Sequence, residues 1–201
     1  MSKNAPGVRY AELDRETNET HIQVVLDLDG GSRRDILTGI GFFDHMLELF
    51  AFHGQVDIGI GAEGDLEVDD HHTVEDTGIV LGKAVREALA AGDSIERYAH
   101  TITPMDEALV LVAMDISGRG QLHWKLDFKR EKIGDLATEN VREFFRAFTA
   151  HAGVTLHVQE MAGENYHHIC EALFKGFGLA LHRATRVSER RGSTSTKGKL
   201  D

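Results

Sequence analysis

The sequence predicts an α+β fold built from two βββαβα half-repeats, with a layer of four helices packed between two four-stranded sheets. Three observations carry that expectation. The pattern HHxxE occurs at residues 71–75, His-His-Thr-Val-Glu, and again at 167–171, His-His-Ile-Cys-Glu. Similar strand-like and helix-like segments precede each copy in the same order. The two halves can also be laid residue on residue, as an internal duplication requires.

In the first half, residues 21–29 alternate as a strand, with Ile22, Val24, Leu26 and Leu28 on one face. Asp29-Gly30-Gly31 reads as the turn that follows. Residues 42–52 are helical, with Phe43, Met46, Leu47 and Phe50 at helix spacing and Gly54 as the stop. A strand over 55–60 comes next. A longer helix then runs from an N-cap at Asp70 to near Gly92.

The second half replays this order. Residues 108–116 alternate as a strand, Ser117-Gly118-Arg119-Gly120 makes the turn, and Leu122, Trp124, Leu126 and Phe128 make the next strand. Residues 138–150 are helical, 154–158 alternate, and 165–186 form a long helix. Setting Gly30 on Gly118 puts Asp27 on Asp115 and Glu19 on Glu107. In the helices, His45 falls on Glu143, Phe50 on Phe148, His53 on His151, Leu81 on Phe177 and Gly82 on Gly178. The resulting organisation is a first half-repeat over 1–95, a second over 96–187 and a tail over 188–201. That tail is polar without apolar period, which composition reads as a mobile end. Its functional reading is a flap closing on an anion through Ser195, Thr196 and Lys197.

Composition narrows the classes. A length of 201 residues with 41% hydrophobic and 27% charged residues suits a globular protein with a substantial core. A net charge of −11 argues against nucleic-acid binding, which needs a basic surface. The single cysteine, Cys170, excludes an intramolecular disulfide and suits a reducing cytosol. No apolar run reaches membrane-spanning length, and the opening MSKNAPGVRY lacks a secretory apolar segment. A cytoplasmic location without membrane contact is the expectation.

The doubled motif points to metal. Neutral imidazoles beside carboxylates ligate divalent transition ions. On a helix, residues four apart share a face, so His71 points with Glu75 and His167 with Glu171. Adjacent residues diverge by about 100°, so His71 and His72 are better suited to different ions. His21, His53, His100, His123, His151, His157 and His182 are given no metal role, and His157, on a strand, reads as structural.

Taken together, Gly-Phe-Phe-Asp-His-Met-Leu at 41–47, Asp-Asp-His-His-Thr-Val-Glu-Asp at 69–76, Thr-Pro-Met-Asp-Glu-Ala at 103–108, Gly-Glu-Asn-Tyr-His-His-Ile-Cys-Glu-Ala at 163–172 and Ser-Thr-Lys-Gly at 195–198 closely resemble the imidazoleglycerol-phosphate dehydratase family. The likeness covers nearly the whole chain. It implies a fold of the ribosomal protein S5 domain 2-like kind and a monofunctional lyase of histidine biosynthesis. The implied reaction converts D-erythro-imidazole glycerol 3-phosphate to imidazole acetol phosphate and water, with two Mn(II) ions per subunit. A 24-subunit shell built from trimers, with metal sites between subunits, is implied as well. By the same resemblance the ligands are His45, His71, His72, Glu75, His167, His168 and Glu171. Many relatives carry His where this chain has Glu143, so either Glu143 ligates or water fills that corner. Glu19, Asp106 and Lys175 are the implied acid–base candidates. Glu19, Arg97, Arg119, Lys175, Ser195, Thr196 and Lys197 are the implied substrate contacts.

Two other readings are compatible with paired ligand sets: a different dinuclear metallohydrolase, and a metal-storage shell. The phosphate set of Arg97, Arg119 and Lys197 speaks against storage, which has no use for it.

Overall fold

A computed structural model describes residues 8–90 and 94–188 of the chain. The first half contains β1 (Tyr10–Glu16), β2 (Thr20–Asp27), β3 (Arg34–Leu37), α1 (Gly41–Gly54), β4 (Asp57–Gly64) and α2 (His71–Leu89). The second contains β5 (Tyr98–Met105), β6 (Ala108–Ile116), β7 (Gln121–Lys125), a small hairpin of β8 (Lys132–Ile133) and β9 (Leu136–Ala137), α3 (Thr138–Ala152), β10 (Val154–Ala162) and α4 (Tyr166–Ala184). The two main sheets have the orders β1-β2-β4-β3 and β5-β6-β10-β7, the same topology twice. In each, the last-named pair is parallel and the others antiparallel.

The sheets face each other across the helices. α2 packs on β1 and β2, and α4 packs on β5 and β6. The helix pairs, however, join the halves: α1 lies against α4, and α2 against α3. Both contacts are close enough to require glycine. A Cβ on Gly178 would stand 2.2 Å from the Phe50 carbonyl oxygen, and one on Gly82 would stand 2.6 Å from that of Phe148. The repeat register that pairs Gly82 with Gly178 therefore pairs two backbone crossings. Around them Phe50 stacks on Phe177 at 4.9 Å and Phe144 on Phe174 at 5.6 Å, all four rings fully buried.

Several boundaries differ from the sequence expectation, each for a physical reason. β1 and β3 are edge strands with mixed, half-exposed faces, so their alternation is weak. Gly54 is the last helical residue, and Gln55 is the residue in the left-handed conformation, at φ 51°; the strand after it starts at Asp57. Asp70 makes no side-chain cap: it accepts the Ala137 N–H at 2.7 Å, while Asp69 accepts the His71 N–H at 2.8 Å. Leu126 and Phe128 lie beyond β7, although Leu126 is buried and Phe128 packs against the core. Ser188, expected to open the tail, is buried, and its N–H donates to the Ser94 carbonyl at 2.7 Å. Among the described residues, no helix is long and apolar enough to cross a membrane.

Candidate functional site

The crossing of α1 and α4 brings together residues 126 positions apart in the chain. His45 Nε2 lies 3.3 Å from Glu171 Oε1, and His167 Nε2 lies 3.0 Å from the same oxygen. One donor atom from each of the three lies within 4.8 Å of the others, and among the described residues no other three His, Cys, Asp or Glu side chains converge so closely. Lys175, one turn along α4, donates to the other oxygen, Oε2, at 2.6 Å and reaches Met105 Sδ at 3.2 Å. The Phe42 ring sits 5.0 Å from that of His167 and floors the group. Burial pushes the Glu171 carboxyl up, but hydrogen bonds from Lys175, His45 and His167 outweigh it and hold it down at about 2. The group is therefore an ionised acceptor with two imidazole nitrogens beside it.

The neighbouring histidines turn elsewhere. His168 Nδ1 lies 2.8 Å from Glu107 Oε2, with its Nε2 3.7 Å from Asp106 Oδ2. His72 Nδ1 lies 3.1 Å from Asp65 Oδ2, with its Nε2 3.9 Å from Glu19. Each carboxylate raises the basicity of its imidazole. Glu107 is itself brought down to about 2 by His168 and by the Asn165 N–H. A histidine anchored at Nδ1 by a carboxylate presents Nε2 outward, the orientation in which imidazoles ligate metals.

The α2/α3 crossing holds the symmetry-related group. His71 Nδ1 lies 2.9 Å from Asn140 Oδ1, and its Nε2 stands 3.8 Å from Glu75 Oε2. Arg146 donates to Glu143 Oε2 at 2.5 Å and to Glu75 Oε1 at 3.0 Å. Glu143, set opposite His45 by the register, thus takes a guanidinium as its partner.

Against known proteins, the family model for imidazoleglycerol-phosphate dehydratase matches residues 38–181. The chain belongs to the imidazoleglycerol-phosphate dehydratase family. Relatives named imidazoleglycerol-phosphate dehydratase include one from Acetivibrio thermocellus, 54% identical over 193 residues, covering 96% of this chain and 99% of that one. Another, from Methanocella arvoryzae, is 54% identical over 193 residues, covering 96% and 100%. A crystal structure of the dehydratase from Staphylococcus aureus superposes with a TM-score of 0.81 at 38% identity, covering 89% of this chain and 99% of that one. The Pyrococcus furiosus protein, solved in complex with (S)-C348, does so at 0.81 and 41%, covering 94% and 100%. Membership in the dehydratase family makes this chain a lyase of histidine biosynthesis and agrees with the duplicated α+β architecture.

Of the residues singled out by sequence, only His45, His167, Glu171 and Lys175 meet in one group. Glu75 meets Arg146, and His72 and His168 face outward near Glu19 and Asp106 respectively. Arg97 and Arg119 lie at the far end of the second sheet. Arg97 donates from Nε to Asp115 at 2.8 Å and stacks over Tyr98 at 4.7 Å. Arg119 follows β6, with its carbonyl accepting from Thr155 Oγ1 at 3.0 Å. That end is separated from Asp106 and His168 by the length of β6, roughly 27 Å. Ser195, Thr196 and Lys197 lie outside the described residues. Sequence reasoning missed Asp65, Asn140 and Arg146; the signal for Glu107 was its register with Glu19.

Proposed function

We propose that this protein dehydrates D-erythro-imidazole glycerol 3-phosphate to imidazole acetol phosphate, using two Mn(II) ions per subunit. The convergence of His45 and His167 on one oxygen of Glu171 carries the metal part of this reading. A divalent ion at about 2.1–2.3 Å from each donor keeps neighbouring donors roughly 3 Å apart, and these nitrogens lie 3.3 and 3.0 Å from that oxygen. The donor set, imidazole with carboxylate, suits Mn(II) among borderline and hard ions.

When bound, such an ion acts as a Lewis acid on the imidazole ring and stabilises the charge that develops there. The chain's own residues do the rest. Lys175, bound to Glu171, keeps that carboxylate ionised and oriented rather than standing free as a base. Glu19, an exposed carboxylate beside His72, is the candidate to accept the carbon-bound proton, and Asp106 beside His168 is the candidate at the other half.

His72 and His168 are held at Nδ1 by Asp65 and Glu107 and lie outside the His45–His167–Glu171 group, and Arg97 and Arg119 lie the length of β6, roughly 27 Å, from His168. Both facts support sites completed by neighbouring copies, as in a 24-subunit shell of trimers. His72 and His168 then supply ligands to a neighbour's ions, while Arg97 and Arg119, with Ser195, Thr196 and Lys197, hold the phosphate. The biosynthetic role and the single free cysteine, Cys170, support a cytoplasmic location.

The test is turnover of imidazole glycerol phosphate by metal-stripped protein resupplied with Mn(II), followed by ketone formation. Mn(II)-dependent ketone without free phosphate is expected. No Mn(II)-dependent turnover sinks the reading, and phosphate release would instead favour a hydrolase.

A further inference from the structure

The two half-sites differ in charge as well as in shape. At the α1/α4 crossing, among the described residues, the carboxylate that converges with the imidazoles of His45 and His167 is Glu171. At the α2/α3 crossing, Glu75 and Glu143 stand together, and Arg146 spans them through two different nitrogens. Each carboxylate gives one oxygen to the guanidinium. The other oxygen of Glu75 faces His71 Nε2 across 3.8 Å, too long for a hydrogen bond. His71 is already oriented by Asn140. All the donors of the second half-site are therefore present, with a side-chain cation drawn across them.

Lys175 offers the contrast. It holds the oxygen of Glu171 turned away from the imidazoles, and its side chain is 17% exposed, so it stays in place without blocking Oε1. Arg146 is 59% exposed on a long flexible stem and can swing into solvent. Two half-exposed ion pairs hold it, each worth only a few-fold in an equilibrium constant.

Resting on the two-ion reading above, we propose that Arg146 is a resident counter-ion that a divalent cation must displace from Glu75 and Glu143. The α1/α4 half-site then loads first, and the α2/α3 half-site fills only as Arg146 leaves. The arrangement makes metal loading sequential without any change of backbone.

The experiment is a Mn(II) titration of metal-stripped full-length protein, reading unbound Mn(II) by its electron paramagnetic resonance signal. Arg146→Gln is compared with wild type and with Arg142→Gln, an exposed arginine one turn earlier on α3 whose loss changes the net charge equally. Wild type should show two classes of site. Arg146→Gln should tighten the weaker class by about ten-fold and leave the tighter class unchanged, while Arg142→Gln should match wild type. The proposal is overturned if Arg146→Gln leaves the weaker class unchanged or weakens it. It is equally overturned if Arg142→Gln tightens that class as much, because the effect is then one of general charge. Wild-type binding of fewer than two ions per subunit would instead remove the two-ion reading itself.

Discussion

The α1/α4 and α2/α3 crossings occupy equivalent places in two equivalent halves, yet they present different chemistry. The first sets two imidazoles on one buried carboxylate, with a lysine behind it. The second sets one imidazole beside two carboxylates, with an arginine across them. Their interiors have not diverged in the same way: Gly178 and Gly82 both press helix backbone on helix backbone, and Phe50 and Phe148 occupy matching buried places. Close packing leaves little room for change at such contacts. The half-exposed polar positions His45, Glu75 and Glu143 carry no such constraint, and symmetry was lost there.

The comparison is broken most forcefully at the crossings. Gly178→Ala should destabilise the fold by about 3 kcal/mol or more, because a backbone oxygen cannot retreat from the added carbon without moving α1. Gly82→Ala should cost nearly as much, as its closest contact is also a carbonyl oxygen. Denaturant unfolding of metal-free protein measures both, and tolerance of either variant would mean that the two crossings are not equivalent.

Next in size are the proposed ligands. Glu171→Gln should weaken the tighter Mn(II) class by about a hundred-fold or more, since orienting partners alone are worth 10–100-fold. Glu75→Gln should act on the weaker class only. Calorimetric Mn(II) titrations distinguish these, and an equal effect of both variants on one class would merge the two half-sites into a single one.

Smaller effects should come from the groups that aim the histidines. Asn140→Ala and Glu107→Gln should each reduce Mn(II) affinity by about ten-fold, the first through His71 and the second through His168. Unchanged affinity in either variant would leave those hydrogen bonds without a role in metal binding.

The smallest expected effect separates the two turns that precede α1 and α3. Asp57 accepts the N–H groups of Gly31, Ser32 and Arg33, which hold its carboxyl below the usual range, the Arg33 bond foremost. Its counterpart in the other half is Thr155, which does not titrate and donates instead to Arg119. A depressed folded-state pKa gives stability that is present above about 4 and lost as pH falls through the lowered value. Asp57→Asn should therefore lower the melting temperature by about 1–2 °C at neutral pH and by progressively less on acidification. Thr155→Val should show no such pH dependence. A constant difference for Asp57→Asn from neutral pH down to pH 2 would remove the charge from this account.

Much of the fold was legible because its signals are local. Ile22, Val24, Leu26 and Leu28 alternate on a strand, Phe43, Met46, Leu47 and Phe50 recur on a helix, and all eight are buried. The βββαβα pattern leaves room for β1 and β3 but does not place them on residues, because edge strands with half-exposed faces have little alternation to read. The β8–β9 hairpin is too short to have a period at all. At the site, the divergence of His71 from His72 followed from helix geometry, and the structure bears it out: one turns to Asn140 and the other to Asp65. Asn140 itself was invisible, since nothing local links position 140 to position 71.

The sequence by itself determined the duplicated α+β architecture, the two helices that carry paired histidines, and membership in the dehydratase family. These depend on periodicity and motif, properties of neighbouring residues. Only the tertiary structure decided which side chains meet. His45 reaches Glu171, and Arg146 reaches Glu75, because α1 crosses α4 and α2 crosses α3 at glycine contacts between the halves. That crossing is a property of packed surfaces far apart in the chain, and no spacing within either half contains it.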